Sequence, residues 1–337
     1  MDKNSLNSKP YDHIGVVGAG AWGTALALVA AEAGRRVTLW AREPDVVETI
    51  NSDHENARFL AGVRLPGTLI ATGGLDRLGD ANTVLVVVPA QHLRETLTML
   101  VGRIRPQIPV VLCAKGIERS SGMLLGEVLA ECAPDASPAI LSGPSFARDV
   151  ARRLPTAVTI AARKQIALRL QASLGHPTFR PYASTDLTGV ALGGAAKNVY
   201  AIGCGIVSGL GLGDSARAAL LARSFAELCR LGAALGAKSE TLMGLSGLGD
   251  LVLTATSSTS RNYAFGFHLG RGRPLTELMV SGQPLAEGVE TAAALVTRAT
   301  RQNIELPVAE AITDILEGRL SLEAAVPRLM ARPFKSE

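Results

Sequence analysis

The sequence predicts an α/β first domain, a mostly parallel sheet with helices on both faces, followed by an all-α C-terminal domain. Three observations predict it. Short β-branched runs alternate with amphipathic helical stretches through the first half. Strand signals stop after about Asp186, where Ala/Leu/Gly-rich helical segments take over. A glycine-rich turn, Gly18-Ala19-Gly20-Ala21-Trp22-Gly23, joins the first strand to the first helix. At 337 residues the chain is too long for one small core, so two compact domains are expected, residues 1–187 and 188–337.

Within the first domain, strands are expected at His13–Val17, Arg36–Trp40, Val84–Val88, Val110–Ala114, Ala139–Leu141 and Ala157–Ala161. Thr24–Ala33 and Leu93–Gly102 carry apolar residues at helical spacing. The segment Ser184–Gly189 is the expected junction, because its capping residues begin a long helix. Helices then follow at Val190–Leu210, Ala216–Leu235, Arg261–Arg271 and Thr291–Arg301.

Composition narrows the function classes. Hydrophobic residues make up 47% and charged residues 19%, which argues for packed cores over disorder. A net charge of +4 without a long basic run argues against a nucleic-acid binder, while a mild positive field suits small anionic ligands. Cys113, Cys132, Cys204 and Cys229 lack disulfide or metal spacing and read as reduced thiols, and the five histidines form no motif, so no metal is expected. The first ten residues lack the apolar core of a signal peptide, and the apolar stretch Gly189–Gly213 is interrupted by Lys197 and Asn198. A buried helix and a cytoplasmic protein with no integral membrane segment are expected.

The glycine turn points to a dinucleotide. In a Rossmann-type βαβ unit Gly18 permits the tight turn, Gly20 lets a pyrophosphate approach the backbone, and Gly23 lets the helix pack on the strand. The helix N-terminus adds free N–H groups and a positive dipole. The second strand ends in Ala41-Arg42-Glu43. Arg42 would pair with the 2′-phosphate of NADP, whereas Glu43, displaced by a residue or two, would bind the ribose hydroxyls of NAD. The position of Arg42 favours NADP and leaves NAD open.

Several polar residues stand where apolar ones belong. Lys197 lies in a helix that is otherwise apolar on nearly every face; burial would lower its pKa toward neutrality, as a proton-transferring amine requires. The alternative is a lysine that snorkels or bonds a carbonyl. Asp250 and Thr254, four residues apart after the glycine-rich bend Gly244–Gly249, could face one pocket, or Asp250 could simply cap a helix. Ser257–Asn262 is a hydroxyl-rich helix entry with Arg261 in its first turn, a combination suited to a phosphate dianion. Lys115, and the Ser142–Ala147 segment, lie just past first-domain strands, where such sheets bind ligands.

Taken together these blocks resemble the bacterial-type NAD(P)-dependent glycerol-3-phosphate dehydrogenases. The resemblance rests on Gly18–Ala25, Ala114-Lys115-Gly116, Ser142–Ala147, Gly193–Asn198, Gly247–Leu251, Ser260-Arg261-Asn262 and Ala286-Glu287-Gly288, and runs from about His13 to beyond Glu310. It implies hydride transfer at C2 between sn-glycerol 3-phosphate and dihydroxyacetone phosphate, supplying glycerophospholipid synthesis. It implies Lys197 as the proton donor and acceptor, with Asp250 and Lys115 tuning its charge. Lys115, Gly143, Ser145, Asp250, Ser260, Arg261 and Asn262 would line the substrate site. Ala21, Trp22, Arg42, Ala147, Leu285 and Glu287 would join Lys115 and Arg261 around the cofactor. Two positions depart from commoner family choices: Ala21 where Ser is frequent, and Ser145 where Thr is frequent. A homodimer is the family's habit.

Overall fold

The structure, a computed structural model, describes residues 9–280 and 286–331. It divides into two compact units. The first comprises the chain up to Ala114 together with Leu124–Ala191; the second comprises Lys115–Met123 and the chain from Leu192 onward.

The first unit is built on eight strands: β1 (His13–Val17), β2 (Arg36–Trp40), β3 (Leu69–Thr72), β4 (Thr83–Val86), β5 (Pro109–Leu112), β6 (Ser137–Ser142), β7 (Thr156–Ala162) and β8 (Phe179–Ser184). Their order is β3-β2-β1-β4-β5-β6-β7-β8. All neighbouring pairs are parallel except β6 with β7. The order reverses at β1, which pairs with β2 on one side and β4 on the other, and such a switch point is where open α/β sheets receive ligands. Every residue of β1 is buried, as expected for a central parallel strand.

Six helices connect these strands: α1 (Ala21–Glu32), α2 (Pro44–Ser52), α3 (Leu93–Leu100), α4 (Leu125–Cys132), α5 (Ala147–Ala151) and α6 (Lys164–Leu174). Helix α1 buries Gly23 through Ala30 without interruption, so its role is core packing and not a solvent-facing cover.

Two strands escape sequence reading, and they are the two edges of the sheet. Strand β3 is four residues long and exposes Ile70, while β8 carries Pro181 and an alternation of buried and exposed positions. Proline removes a ladder donor and is tolerated on an edge, so the feature that hides β8 in the sequence is explained by its place in the sheet.

After β8, Asp186 caps the next helix by accepting the Gly189 N–H at 2.8 Å. This helix, α7 (Leu187–Gly209), leads into the second unit. The rest of that unit is helical among the described residues: α8 (Asp214–Ala234), α9 (Ser239–Met243), a π turn at Leu245–Gly249, α10 (Asp250–Thr256), α11 (Arg261–Gly270), α12 (Leu275–Leu278), α13 (Glu287–Thr300), α14 (Pro307–Leu316) and α15 (Leu322–Met330).

Helices α7 and α11 cross backbone to backbone. A Cβ on Gly205 would lie 2.1 Å from the Tyr263 carbonyl oxygen, and one on Gly209 would lie 2.3 Å from that of Phe267. From the other side, a Cβ on Gly266 would lie 2.0 Å from the Ile202 carbonyl oxygen, and one on Gly270 would lie 2.5 Å from that of Ile206. Each helix thus presents two glycines one turn apart, and no other residue leaves room for the approach. Helix α7 has the length and mean hydropathy (1.4) of a membrane span, but 89% of its most apolar window is buried inside the protein.

Gly266→Ala should cost about 3 kcal/mol or more, because a backbone oxygen cannot swing aside as a side chain can. Gly126→Ala in α4, whose new Cβ would first meet Ile140 Cδ1 at 3.7 Å, should be neutral or stabilise by up to about 1 kcal/mol. Chemical denaturation of both variants checks the contrast, and similar midpoints would contradict the backbone crossing.

Candidate active site

The glycine turn is assembled from β1, α1 and the end of β2. Gly18 adopts φ +106°, and its N–H bonds the Trp40 carbonyl at 3.0 Å. A Cβ on Gly23 would fall 1.8 Å from the Gly18 carbonyl oxygen, so α1 can pack against the turn only with glycine there. Gly20 differs: a Cβ there would meet nothing within 4 Å. Gly20 is also the N-cap of α1 and supplies no side-chain cap, which leaves the helix N-terminus to an external anion. At the first turn of α1, the buried Trp22 indole nitrogen has no hydrogen-bond acceptor among the described residues. The open side above Gly20, the free helix end and this orphan donor fit a dinucleotide.

At the tip of β2, the two readings left open by the sequence meet in one ion pair: Arg42 Nη2 lies 3.0 Å from Glu43 Oε1, with the Arg42 side chain 80% exposed. An exposed pair of this kind holds Arg42 only weakly. Gly143 has φ +146°, a Cβ there would also come 2.9 Å from Val158 Cα on β7, and the Ser145 hydroxyl donates to the Gly143 carbonyl at 3.0 Å. Ala147 opens α5 and packs on the core of the first unit.

The second unit gathers the charged residues. On α7, Gly193 and Lys197 lie one turn apart and share a face. A Cβ on Gly193 would lie 2.6 Å from the Ser246 carbonyl oxygen, so the π turn rests on bare α7 backbone there. Gly247 admits the same closeness within the turn, its Cβ position lying 1.9 Å from the Leu242 carbonyl oxygen. This packing delivers Asp250, the first residue of α10, to Lys197. Lys197 Nζ donates to Asp250 Oδ1 at 2.7 Å and to Thr254 Oγ1 at 2.8 Å. Lys115 Nζ donates to the other carboxylate oxygen, Oδ2, also at 2.7 Å. Asp250 is 1% exposed and Lys197 6%.

The Lys197 pKa is lowered to about 8: burial is the largest cause and Lys115 acts in the same direction, while the Asp250 carboxylate opposes both. Burial works to raise the Asp250 pKa, but the Lys115 and Lys197 ammonium groups outweigh it and hold the acid below the usual carboxylate range. The cluster is therefore a buried carboxylate shared by two cations, one of which is poised to exchange a proton near neutral pH. The snorkelling alternative for Lys197 is excluded by its partners.

Lys115 corrects the sequence reading in one respect: it belongs to the second unit and not to the first, as part of the strap Lys115–Met123. Helix α13 fastens this strap. Arg301 Nη1 donates to the Ser121 carbonyl at 2.9 Å, Arg298 Nη1 to that of Gly122 at 3.4 Å, and Arg119 pairs with Glu290 at 3.1 Å. A chain of amides completes the attachment. Asn198 Nδ2 donates to the Lys115 carbonyl at 2.9 Å, Asn262 Nδ2 donates to Asn198 Oδ1 at 2.9 Å, and the Gly288 N–H donates to Asn262 Oδ1 at 2.8 Å. Glu287, beside Gly288, adds a negative charge felt by Lys197.

Ser260 is the N-cap of α11, its hydroxyl accepting the Tyr263 N–H at 3.2 Å. Arg261 follows as the first residue of that helix, exposed, with no hydrogen-bond or ion-pair partner among the described residues. Asn262, expected to line a substrate, already uses both amide atoms inside the protein. Leu285 lies outside the described residues. Sequence reasoning set Thr254 beside Asp250 on one pocket without naming Lys197 as its partner, and it assigned no role to Asn198. The four-residue spacing from Asp250 and the polar break in α7 were the available signals, but their partners come from other elements.

Comparison with known proteins gives the same picture along the chain. Residues 13–167 match the family model described as NAD-dependent glycerol-3-phosphate dehydrogenase N-terminus, and residues 186–327 match that of the C-terminus. A glycerol-3-phosphate dehydrogenase [NAD(P)+] of Parvibaculum lavamentivorans is 56% identical over 97% of this chain and 98% of the relative. One of Rhodospirillum rubrum is 55% identical over 97% of this chain and 94% of the relative. The crystal structure of a glycerol-3-phosphate dehydrogenase from Coxiella burnetii aligns with a TM-score of 0.90 at 38% identity, covering 96% of this chain and 99% of the other.

Asp250→Asn should drive the Lys197 pKa below about 8, since it removes the charge that opposes burial and Lys115. The pH dependence of Lys197 acetylation, followed by mass spectrometry, reads this directly; an unchanged or raised midpoint would contradict the electrostatic assignment.

Proposed function

Because the chain belongs to the NAD-dependent glycerol-3-phosphate dehydrogenase family, we propose that it interconverts sn-glycerol 3-phosphate and dihydroxyacetone phosphate with NAD(P). The observation that carries this reading is the buried Lys197 amine, held between Asp250 and Thr254 with a pKa of about 8. A bound nicotinamide dinucleotide supplies or accepts the hydride at C2. The residues proposed to hold it are Gly18, Gly20, Ala21, Trp22, Gly23, Arg42, Lys115, Ala147, Arg261, Leu285 and Glu287, with Arg42 favouring NADP once it exchanges Glu43 for a 2′-phosphate.

Proton handling belongs to the chain itself. In reduction, Lys197 gives its proton to the C2 oxygen as negative charge develops there; in oxidation, neutral Lys197 takes the hydroxyl proton. Asp250 and Thr254 keep the amine aimed while its charge changes. Lys115, paired to the same carboxylate, keeps the site positive, which suits a phosphorylated substrate. Among the described residues Arg261 has no side-chain partner to give up, and with the N-terminus of α11 it can hold the phosphate dianion. Lys115, Gly143, Ser145, Asp250, Ser260 and Asn262 complete the proposed substrate contacts. Binding energy spent on the phosphate orients C2 for reaction.

The proposal extends to a cytoplasmic homodimer supplying glycerophospholipid precursors. Apolar side chains left exposed at Met243, Met279 and Val280 are available as interface area.

The direct test is oxidation of NADPH and NADH by dihydroxyacetone phosphate; neither being oxidised would overturn the reading. Lys197→Ala should abolish turnover while NADPH still binds. Arg261→Ala should raise KM for dihydroxyacetone phosphate about tenfold or more, the worth of a lost charge-assisted contact. The pH profile should have opposite signs in the two directions. Reduction needs protonated Lys197, so its kcat/KM should be level below and fall above about pH 8, whereas oxidation should rise through the same value.

A further inference from the structure

The glycine turn is shaped from behind by a residue more than thirty positions away. Asn56 lies in the loop between α2 and β3, is 0% exposed, and commits its amide group to the protein. Nδ2 donates to the Ala19 carbonyl at 2.8 Å and to Thr24 Oγ1 at 2.8 Å, while Oδ1 accepts the Phe59 N–H at 3.2 Å. The Thr24 hydroxyl donates to the same Ala19 carbonyl at 3.2 Å. A primary amide with no solvent contact is costly unless satisfied in this way, so the arrangement is specific to the residues that form it.

Its loop is itself fastened. Glu55 bridges to Arg64, the Leu65 N–H bonds the His54 carbonyl at 2.8 Å, and the Gly62 N–H bonds Glu55 Oε1 at 2.8 Å. Asn56 therefore presents its amide from a closed base.

The consequence follows from peptide planarity. The Ala19 carbonyl and the Gly20 N–H belong to one trans peptide plane and point in opposite directions. Two donors that draw the Ala19 carbonyl inward must turn the Gly20 N–H outward. That N–H has no protein acceptor among the described residues and sits at the N-cap of α1, on the side where a Gly20 Cβ would find open space.

We propose that Asn56 is a positioning residue for the dinucleotide, locking the Ala19–Gly20 peptide so that its N–H faces the pyrophosphate. Asn56 touches no ligand; it acts through the turn, with Thr24 as its second contact. The inference rests on the dinucleotide reading of the first unit and deepens it.

The test uses the full-length protein, Asn56→Asp, Thr24→Val and the conservative Thr24→Ser. Three probes are titrated: NADPH, ADP-ribose, which keeps the pyrophosphate, and 2′-AMP, which lacks it. Asn56→Asp and Thr24→Val should each weaken NADPH and ADP-ribose about tenfold, the scale of a misdirected charge-assisted hydrogen bond. Binding of 2′-AMP should change less than twofold, and Thr24→Ser should restore wild-type affinity. In turnover, KM for NADPH should rise while KM for dihydroxyacetone phosphate moves less than twofold. Wild-type affinity in both variants, or a loss for 2′-AMP parallel to that for ADP-ribose, would overturn the proposal. If Asn56→Asp fails to fold, the Thr24→Val and Thr24→Ser pair decides the question alone. A wild-type protein that binds neither NADPH nor NADH would instead overturn the dinucleotide reading, before any variant is compared.

Discussion

The second unit depends on one carboxylate. Asp250 gives one oxygen to Lys197 and the other to Lys115, each at 2.7 Å, in surroundings that leave it 1% exposed. Burying a single charge costs several kcal/mol, and a buried ion pair recovers that cost only when geometry and further hydrogen bonds are good. Here a fourth, neutral group, Thr254, adds a second hydrogen-bond acceptor for Lys197 beside the three charges. The excess positive charge of the trio is what an anionic substrate would neutralise, so the arrangement that makes the cluster costly alone also makes it receptive.

Glycine does the construction around that carboxylate. The π turn can lie on α7 because Gly193 has no side chain, and α11 can lie on α7 because four glycines face each other there. The Gly288 N–H reaches Asn262 for the same reason, since a Cβ on Gly288 would come 2.4 Å from the Asn198 carbonyl oxygen. Helical glycines are destabilising by intrinsic propensity, so their number here is offset by backbone contact that larger residues would forbid. The polar side chains are then held by elements whose separations are set by main chain alone.

Much of this is legible in the sequence, and the reasons are local. The limits of β1 and β2 follow from dense β-branched runs, and the glycine turn follows from its place between a strand and a helix. Lys197 and Asp250 stand out as charges in apolar surroundings. What escapes is information held between distant segments. The edge strands β3 and β8 are short or carry proline, and their identity comes from the neighbour they pair with. Asn198 looks like an ordinary polar residue, and Asn262 like a substrate contact alone, until each is seen to bond within the protein. Lys115 follows a first-unit strand in sequence, and only the anchoring of Ser121 and Gly122 to α13 reveals where it belongs.

That strap alters how the chain can be divided. It leaves the first unit after Ala114, contributes nine residues to the second, returns at Leu124 and crosses for the last time after Ala191. The two units are therefore not consecutive beads on a string, although the family models meet them as an N-terminal and a C-terminal half. A fragment beginning at residue 192 would carry Asp250 and Lys197 but leave Lys115 behind, with one carboxylate oxygen and the Asn198 amide deprived of their partners. During synthesis the second unit has one of its two cations from the outset, yet cannot pair it until Asp250 emerges 135 residues later. A part of the chain made much later thus decides the environment of a lysine made earlier, and the charged cluster waits for synthesis to pass Asp250 and Thr254.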